Sequence, residues 1–489
     1  MAEDAAPRQE GESIESIVSD ETRRATWSGK AAFIIASAAA SIGLGNLWRF
    51  PSLAAKYGGG MFVLTYIVLV CTLGFAYLLT ETAIGRRTRK SGIAAFVAMA
   101  RENGRKGGLG WKVLGSLEII VPAIIVPYYC TIGGWITKYM VEYALGGSDV
   151  LSATDASGAP TFFGQFITSD SEPVAWTFIF CILVVLVIVL GVNNGIEKLN
   201  KYAMPALLFL AIAVMIYGLV TIPNAGAGVA YYLVPKFQDF SVMTIVAAAG
   251  QMFYSLSLGM GIMITYGSYM RREEHMESGV GSIAFFDTLI AVIAGFIVIP
   301  ATFSLFGPEA TRQAGAGLMF GTLPQVFKTM PFSSFVGFLY FALVFFAALT
   351  SAVALLEATV SGIQDATRLT RRQSVKVCGI GLIVLALLPT LGYSVLSWVQ
   401  FPIGSSEMSI LDFADFISNS VIMPFIALVV SIVIGWVFGP SYVTDEAEAS
   451  GVRMRLKKYY VVLVKFVVPI LLAVVLVSSI LNSVGVISI

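Results

Sequence analysis

The amino-acid sequence predicts an all-α integral membrane protein with about eleven transmembrane helices. Apolar residues make up 57% of the 489 residues and charged residues only 12%, which is about half the charged share of a soluble domain. Apolar runs of roughly 18 residues or more, long enough to cross the bilayer core, recur along the chain. Lipid forces backbone groups to pair within helices or closed barrels, and runs this long and continuous favour helices.

Eleven segments are long enough to span, and the charges of the loops between them predict the orientation. Basic residues follow the second, sixth and eighth segments and precede the eleventh, whereas residues 145–173 contain no Lys or Arg. Because cytoplasmic loops carry the excess of Lys and Arg, we expect a cytoplasmic N-terminus and, after an odd number of spans, an extracellular C-terminus. The predicted spans are 30–54, 60–85, 112–144, 174–192, 197–222, 242–270, 278–305, 332–362, 374–396, 408–438 and 459–486.

The remaining composition excludes several classes of function. Residues 1–25 are polar without a hydrophobic signal segment, which indicates a cytosolic tail. A net charge of +1 and the lack of a basic cluster interleaved with aromatics give no indication of nucleic-acid binding. The four Cys residues lie in apolar segments, which favours small buried side chains over disulfides or metal ligands. With His275 as the single His, we expect no zinc cluster, no Ser-His-Asp triad and no enzyme activity.

Two of the predicted helices carry glycines at their centres. Gly43 and Gly45 lie in the first span, and Gly259, Gly261 and Gly267 lie in the sixth. Each Gly weakens a helix by up to about 1 kcal/mol relative to Ala. Close packing of helices is one interpretation. The other is a break in both helices, because the first and sixth spans each open a set of five, as in transporters built from inverted repeats.

Longer motifs around these glycines resemble signatures of the neurotransmitter:sodium symporter family. They are GLGNLWRFP at 43–51, GGG at 58–60 and QMFYSLSLG at 251–259. The resemblance extends from residue 24 to about residue 439 and is closest to the eleven-helix bacterial members that transport tyrosine or several hydrophobic amino acids. The pattern of paired broken helices is known from this same family, so the two indications are not independent.

The resemblance implies a particular domain organisation. A ten-helix core at 26–439 would consist of inverted repeats at about 26–225 and 240–439, with helices 1 and 6 broken at the midplane. Residues 440–489 would form a cytosolic loop and helix 11. Such a chain would be a multi-pass protein of the plasma (inner) membrane, either a monomer or a weak homo-oligomer.

The resemblance also implies two Na⁺ sites beside the helix breaks. At the first, the substrate carboxylate would complete the ion's shell, so that ion and substrate raise each other's affinity by the same factor. At the second, the hydroxyls of Thr350 and Ser351 would bind the ion, unless they bond to the preceding helical turn instead. The expected sodium ligands are Ala39, Ser41, Ile42, Asn46, Ser255, Asp287, Ala347, Thr350 and Ser351.

Asp287 departs from the chloride-dependent members of the family, which carry Asn at the matching position. Ala291 likewise replaces their chloride-binding Ser, while Tyr66, Gln251 and Ser255 of that chloride site are retained. A carboxylate at the midplane costs at least a few kcal/mol, and adjacent sodium ions would offset this cost. We therefore expect Asp287 to bind sodium in place of a chloride requirement. A structural Asp bonded to a neighbouring helix is the alternative.

The predicted substrate is an α-amino acid. The amides of Leu44 and Gly45 would attract its carboxylate at a helix N-terminus, and Tyr129 matches the family tyrosine that also binds this group. Monoamine carriers have Asp where this chain has Gly43. Met260, between two glycines, suits varied apolar side chains. The expected substrate-binding residues are Ser41, Leu44, Gly45, Ile125, Tyr129, Phe253, Tyr254, Ser255, Ser257, Met260, Ser351 and Leu355.

Two gates are implied by the same resemblance. An exposed ion pair contributes only about 0–1 kcal/mol, which suits a latch that opens in every transport cycle. The expected gate residues are Arg49 and Asp415 outside, and Arg24, Asp365, Trp27 and Tyr269 inside.

These residues together predict a sodium-coupled symporter of hydrophobic and aromatic L-amino acids that works by alternating access with two Na⁺ and without chloride. Its partners would be the amino acid and the lipid bilayer. A proton-coupled amino-acid carrier is an alternative, although it would not need the set Asn46, Ser255, Thr350 and Ser351. A non-transporting amino-acid sensor is another, and the complete gate pairs argue against it.

Overall fold

The computed structural model describes residues 25–152, 162–311, 316–403 and 406–483, most of which are helical. Within this part of the chain, nine helices are long and apolar enough to cross a membrane, and the bent pair Lys30–Ser41 and Gly45–Lys56 gives a tenth. A second interrupted pair, Val242–Ser255 and Ile262–Ser268, gives the eleventh. The predicted all-α membrane fold with broken first and sixth spans is confirmed. Residues 1–24 of the predicted tail lie outside the described residues.

We number the spanning helices α1 to α11 and count each interrupted pair as one helix. They are α1 (Lys30–Ser41 and Gly45–Lys56), α2 (Gly60–Thr88), α3 (Leu109–Ala144), α4 (Glu172–Val189), α5 (Val192–Thr221), α6 (Val242–Ser255 and Ile262–Ser268), α7 (Met276–Leu305), α8 (Ser333–Ala366), α9 (Arg371–Leu391), α10 (Ile410–Val437) and α11 (Lys457–Leu481). These bounds agree with the predicted spans to within a turn or two of helix.

Shorter elements connect the spans. The connecting helices are Gly92–Glu102, Ser148–Ser152, Phe162–Thr168, Ala225–Leu233, the 3-10 turn Phe237–Asp239, the π-helical turn Gly317–Thr322, Leu323–Lys328 and Ser441–Glu448. Strands β1 (Phe401–Ile403) and β2 (Ser406–Met408) pair antiparallel before α10. Polar residues set several helix starts: Ser241 accepts from the Thr244 amide before α6, and Thr370 accepts from the Gln373 amide before α9. Such N-caps satisfy amides that lack a partner within the helix.

The break in α1 follows from its glycines. Ile42 is extended, and the helix resumes as a π-helical turn at Gly45–Arg49 with its axis bent by 49°. A Cβ at Gly43 would lie 2.6 Å from the hydroxyls of Tyr129 and Ser351, so only glycine lets α3 and α8 approach this closely. Both interpretations of the glycines therefore hold, since the helix breaks and its neighbours pack tightly against the break.

The broken helices lie at the centre of the bundle. In α8, 83% of the most apolar stretch is buried, whereas in α11 only 28% is buried. α8 packs most extensively against α3 and also contacts the first half of α1 and the second half of α6. The apolar surface of the peripheral helices is left for lipid, and polar groups at the helix breaks are enclosed in the centre.

Candidate functional site at the broken helices

A buried cavity of about 20 Å³ lies where the breaks in α1 and α6 face α3 and α8. This volume holds little more than one water molecule, so a bound amino acid would require the lining to move apart. The cavity is lined by Ala40, Ser41, Gly43, Leu44, Gly45, Ile125, Tyr129, Tyr254, Ser257, Met260, Ile262, Ser351 and Leu355. Most residues predicted to bind the substrate therefore meet at one place.

Phe253 and Ser255 are the two predicted substrate residues that lie away from the cavity. The Phe253 ring packs edge-on against Tyr77 of α2, with 5.5 Å between ring centres. The Ser255 side chain instead faces α7, where it donates to Asp287. Ala40, Gly43 and Ile262 line the cavity in addition to the predicted residues.

The expected carboxylate-binding groups lie together at the break in α1. The Leu44 amide donates to the Tyr129 hydroxyl at 3.1 Å. The Ser41 hydroxyl is buried and, in the described chain, has no hydrogen-bond partner. Since buried polar groups are normally paired, a ligand with hydrogen-bonding groups at this position would complete the pairing.

Ser257 places backbone strain in the wall of the cavity. Its φ is 55°, a left-handed conformation that is unfavourable for a residue other than glycine. The Ser257 hydroxyl donates to the Ala40 carbonyl at 3.4 Å, so the strained residue of α6 is joined to α1. Strained conformations of this kind cluster at functional sites.

Asp287 is fully buried and joins three helices next to this cavity. One carboxylate oxygen accepts from the Asn46 amide at 2.8 Å and from the Ser255 hydroxyl at 2.9 Å. The other oxygen accepts from the Tyr66 hydroxyl at 3.1 Å. Gln251 donates instead to the Gly45 carbonyl at 2.8 Å. Two of the donors to this carboxylate, Tyr66 and Ser255, are residues that the family resemblance assigns to the chloride site of other members.

The residues of the second expected sodium site lie where α8 packs against the first half of α1. The Ser351 hydroxyl is 3.0 Å from the Ala40 carbonyl and 3.2 Å from the Ile42 carbonyl. The Thr350 hydroxyl donates to carbonyls of the preceding turn, including that of Ala347 at 3.1 Å. Thr350 therefore has the back-bonding geometry that the sequence left as an alternative, and Ala39 is buried in the same end of α1.

Arg49 and Asp415 line a second cavity of about 280 Å³, which Leu44 and Tyr254 separate from the first. Arg49 lies 5.2 Å from the centre of the Tyr254 ring. Asp415 accepts from the Tyr128 hydroxyl at 3.1 Å. Among the residues described, no ion pair joins Arg49 to Asp415, so the two face one cavity without direct contact.

The predicted inner gate residues pack at the other end of α6. Trp27 is fully buried, its ring donates to the Tyr266 carbonyl at 3.0 Å, and its amide donates to the Tyr269 carbonyl at 3.0 Å. Asp365 accepts from the amide and the hydroxyl of Ser91 at 2.8 and 2.9 Å. Arg24, its predicted partner, lies outside the described residues.

An ion pair between partly exposed Arg371 and fully buried Glu357 lies beside this gate and was missed by the sequence analysis. Both guanidinium nitrogens of Arg371 contact the Glu357 carboxylate, at 2.9 and 2.8 Å. The Tyr269 hydroxyl also donates to Glu357, at 2.6 Å. The signal was available, because an acidic residue inside an apolar span is costly and indicates a function or a partner.

The chain is similar in sequence to a known protein family and to several known transporters. A sequence model of the sodium:neurotransmitter symporter family matches residues 24–145 and 166–486. An uncharacterized sodium-dependent transporter of Haemophilus influenzae is 32% identical over 462 residues, which cover 94% of this chain and 98% of that protein. The human sodium- and chloride-dependent GABA transporter 2 is 25% identical over 475 residues, which cover 87% of this chain and 75% of that protein.

Among solved structures, the crystal structure of MhsT in complex with L-phenylalanine is similar over the whole fold. The TM-score is 0.82 at 32% sequence identity, and the match covers 94% of this chain and 100% of that chain.

Proposed function

Because the chain belongs to the sodium:neurotransmitter symporter family, we propose that it is a secondary transporter that couples uptake of a hydrophobic or aromatic L-amino acid to sodium. One observation carries this proposal: the amino-acid cavity and the Asp287 cluster share the break in α1. Ser41, Gly43, Leu44 and Gly45 line the cavity, and the next residue, Asn46, donates to Asp287. A single segment of chain therefore contacts both sites.

The chemistry of the cavity supports an amino acid with an apolar side chain. Its polar groups, which include the hydroxyls of Ser41 and Tyr129, lie near the helix break, where an α-carboxylate is favoured by the helix dipole. Ile125, Met260 and Leu355 supply an apolar wall. The similar protein MhsT has been crystallised with L-phenylalanine, which is an amino acid of this class.

Sodium would enter as a co-transported ion at two positions. Carboxylate, amide, hydroxyl and carbonyl oxygens are the ligands preferred by hard cations, and they are supplied by Asn46, Ser255 and Asp287 at one position. Ile42 and Ser351 supply carbonyl and hydroxyl oxygens at the other, only 3.2 Å apart. Binding at the first position would neutralise the buried Asp287 carboxylate and so would favour closure of the cavity around a carboxylate-bearing substrate.

Asp287 also supports independence from chloride. Its carboxylate accepts from Tyr66, Asn46 and Ser255, so donors that could surround an anion already surround a fixed negative charge. A chloride ion beside Asp287 would be repelled at close range. The Asp287 carboxylate would therefore supply the negative charge that balances bound sodium, and chloride would not be needed.

A binding screen with all proteinogenic amino acids, in sodium and in potassium buffer, tests the proposed function. We expect hydrophobic and aromatic L-amino acids to bind in sodium only. Equal binding in potassium would favour the proton-coupled alternative. Counterflow of the bound amino acid in proteoliposomes then distinguishes a transporter from a sensor, because a sensor would bind without exchange across the membrane.

A further inference from the structure

Two buried carboxylates that belong to neither site described above lie beside the break in α6. Glu81 of α2 is fully buried, and Glu118 of α3 is 1% exposed. They act on each other electrostatically, and Tyr77, one turn before Glu81, is the third ionisable group that faces them. Among the described residues, no basic side chain acts on either carboxylate. Within the described chain, two acidic groups therefore share one buried site without a compensating cation.

Both carboxylates face the non-helical segment of α6. Glu81 accepts from the Gly259 amide at 2.8 Å. Glu118 packs against Gly261 so closely that a Cβ there would lie 2.6 Å from the Glu118 carbonyl oxygen. Both glycines have left-handed φ values, of 70° and 67°, and Met260 between them lines the candidate substrate cavity. Glu81 thus holds the segment that carries Met260 by a hydrogen bond, and the backbone of Glu118 packs closely against the same segment.

The hydrogen bonding of this pair is incomplete. The Gly261 amide faces the Glu118 carboxyl without reaching hydrogen-bonding geometry, so both Glu118 oxygens are buried without a partner in the described chain. The second carboxylate oxygen of Glu81 and the Tyr77 hydroxyl are also buried without a partner in the described chain. Two buried carboxylates that share a single hydrogen-bond donor and no counter-charge among the described residues are strongly unfavourable. The observation indicates a ligand that supplies a donor and removes a negative charge.

We propose that Glu81 and Glu118 form a proton-binding site that holds one proton and thereby fixes the shape of residues 259–261. Two like charges cannot both persist in one apolar site, and a protonated carboxyl becomes a donor. The site is separate from Asp287, which is held by three donors of its own. The proton comes from solvent and returns to it, so no further reactant is needed.

Loss of this proton changes the cavity through Met260. A second negative charge between α2 and α3 is relieved if the segment at 259–261 moves away and admits water, and Met260 moves with it. Protonation therefore favours the substrate-binding shape, and affinity falls as the pH rises through the titration of the pair. This consequence rests on the proposed function, because it takes the cavity lined by Met260 as the amino-acid site.

Infrared spectroscopy of the purified full-length protein, in the absence of substrate, tests whether the Glu81–Glu118 pair holds a proton. The C=O stretching band of protonated carboxyl groups is expected in the wild type, weakens at alkaline pH, and is smaller in Glu118→Gln because the proton of this pair is lost. Glu142→Gln is the matched control, since Glu142 lies on the same helix and is paired with Lys138 at 2.7 Å. A band of equal size in wild type and Glu118→Gln overturns the proposal. If Glu118→Gln does not fold, Glu81→Gln serves as the second variant with the same expected loss.

Binding of L-phenylalanine as a function of pH tests the coupling to the cavity. The wild type and Glu142→Gln should lose affinity by about tenfold per pH unit above the titration of the pair, the limit for one linked proton. Glu118→Gln should bind equally at all these pH values. The same pH profile in wild type and Glu118→Gln overturns the coupling. If L-phenylalanine binds none of the proteins, the proposed substrate class fails, while the infrared result still decides the proton site.

Discussion

Two tyrosine hydroxyl groups of α3 differ sharply in their surroundings. On α3, the Tyr129 hydroxyl accepts from the Leu44 amide and lines the cavity. The Tyr143 hydroxyl, on the same helix, is buried without a partner in the described chain. Both residues belong to one helix, and only their neighbours in the tertiary structure distinguish the hydroxyl that lines the cavity from the one without a partner in the described chain.

Tyr129→Phe is expected to weaken amino-acid binding by about tenfold or more, because a hydrogen bond to a charged group contributes about 1.5–3 kcal/mol. Equilibrium binding of L-phenylalanine in sodium buffer measures this change. Tyr143→Phe is the control and should bind like the wild type, since it removes a hydroxyl that bonds nothing in the described chain. Equal affinity in all three proteins would exclude Tyr129 from the carboxylate site.

Asp287→Asn is expected to make sodium-dependent uptake sensitive to chloride. The substitution removes the fixed negative charge but leaves Tyr66 and Ser255 able to donate, so an external anion can take its place. Uptake into proteoliposomes should fall by about tenfold or more in gluconate and recover partly in chloride, which corresponds to at least about 1.4 kcal/mol. The wild type should transport equally in both media. Chloride-dependent uptake by the wild type would contradict the assignment of Asp287.

At the scale of helices, the two broken helices α1 and α6 are held in place by side chains from other helices. The first half of α1 is joined to α8 by Ser351, and the non-helical segment of α6 is held by Glu81 from α2. α8 and α9 are joined by the Glu357–Arg371 pair, which also reaches α6 through Tyr269. Both broken helices are therefore tied to continuous helices of the bundle.

Arg371→Gln is expected to destabilise the protein, because it leaves the buried Glu357 carboxylate without its cation. The cost should lie below the about 3–5 kcal/mol of fully buried pairs, since Arg371 is partly exposed. The melting temperature in detergent should fall well below that of the wild type. Arg372→Gln is the control, since Arg372 is the exposed neighbour on the same helix. The double substitution Glu357→Gln, Arg371→Gln should recover part of the loss. Equal melting temperatures for Arg371→Gln and Arg372→Gln would show that the pair is not structural.

For the whole molecule, the proximity of the Asp287 cluster to the cavity predicts that sodium and substrate stabilise each other. Ligands that bind only the folded protein raise its stability, by about 2.7 kcal/mol at a concentration of 100 times Kd. If the two sites are coupled, L-phenylalanine with sodium should raise the melting temperature by more than the sum of the separate shifts. Potassium in place of sodium is the control and should give no such excess. Strictly additive shifts would contradict the coupling.

The length and apolarity of the chain determine the spans by themselves, because each must cross the bilayer with its backbone bonds satisfied internally. The sequence around Gly43 and Gly259 also indicated both breaks, since glycine is a local feature that the chain reveals directly. The bound of a helix likewise depends on nearby residues, and the predicted and observed bounds agree closely.

Only the tertiary structure decided which side chains meet. Phe253 and Tyr254 are neighbours, yet Tyr254 lines the cavity and Phe253 packs on Tyr77, because consecutive residues of a helix point in different directions and only the rotation of α6 in the bundle decides which one faces the cavity. The proximity of Glu81 and Glu118 beside α6 likewise could not be predicted from the sequence. Contacts between helices depend on rotation and crossing angle, which are set by packing among many side chains at once, and no local pattern records them.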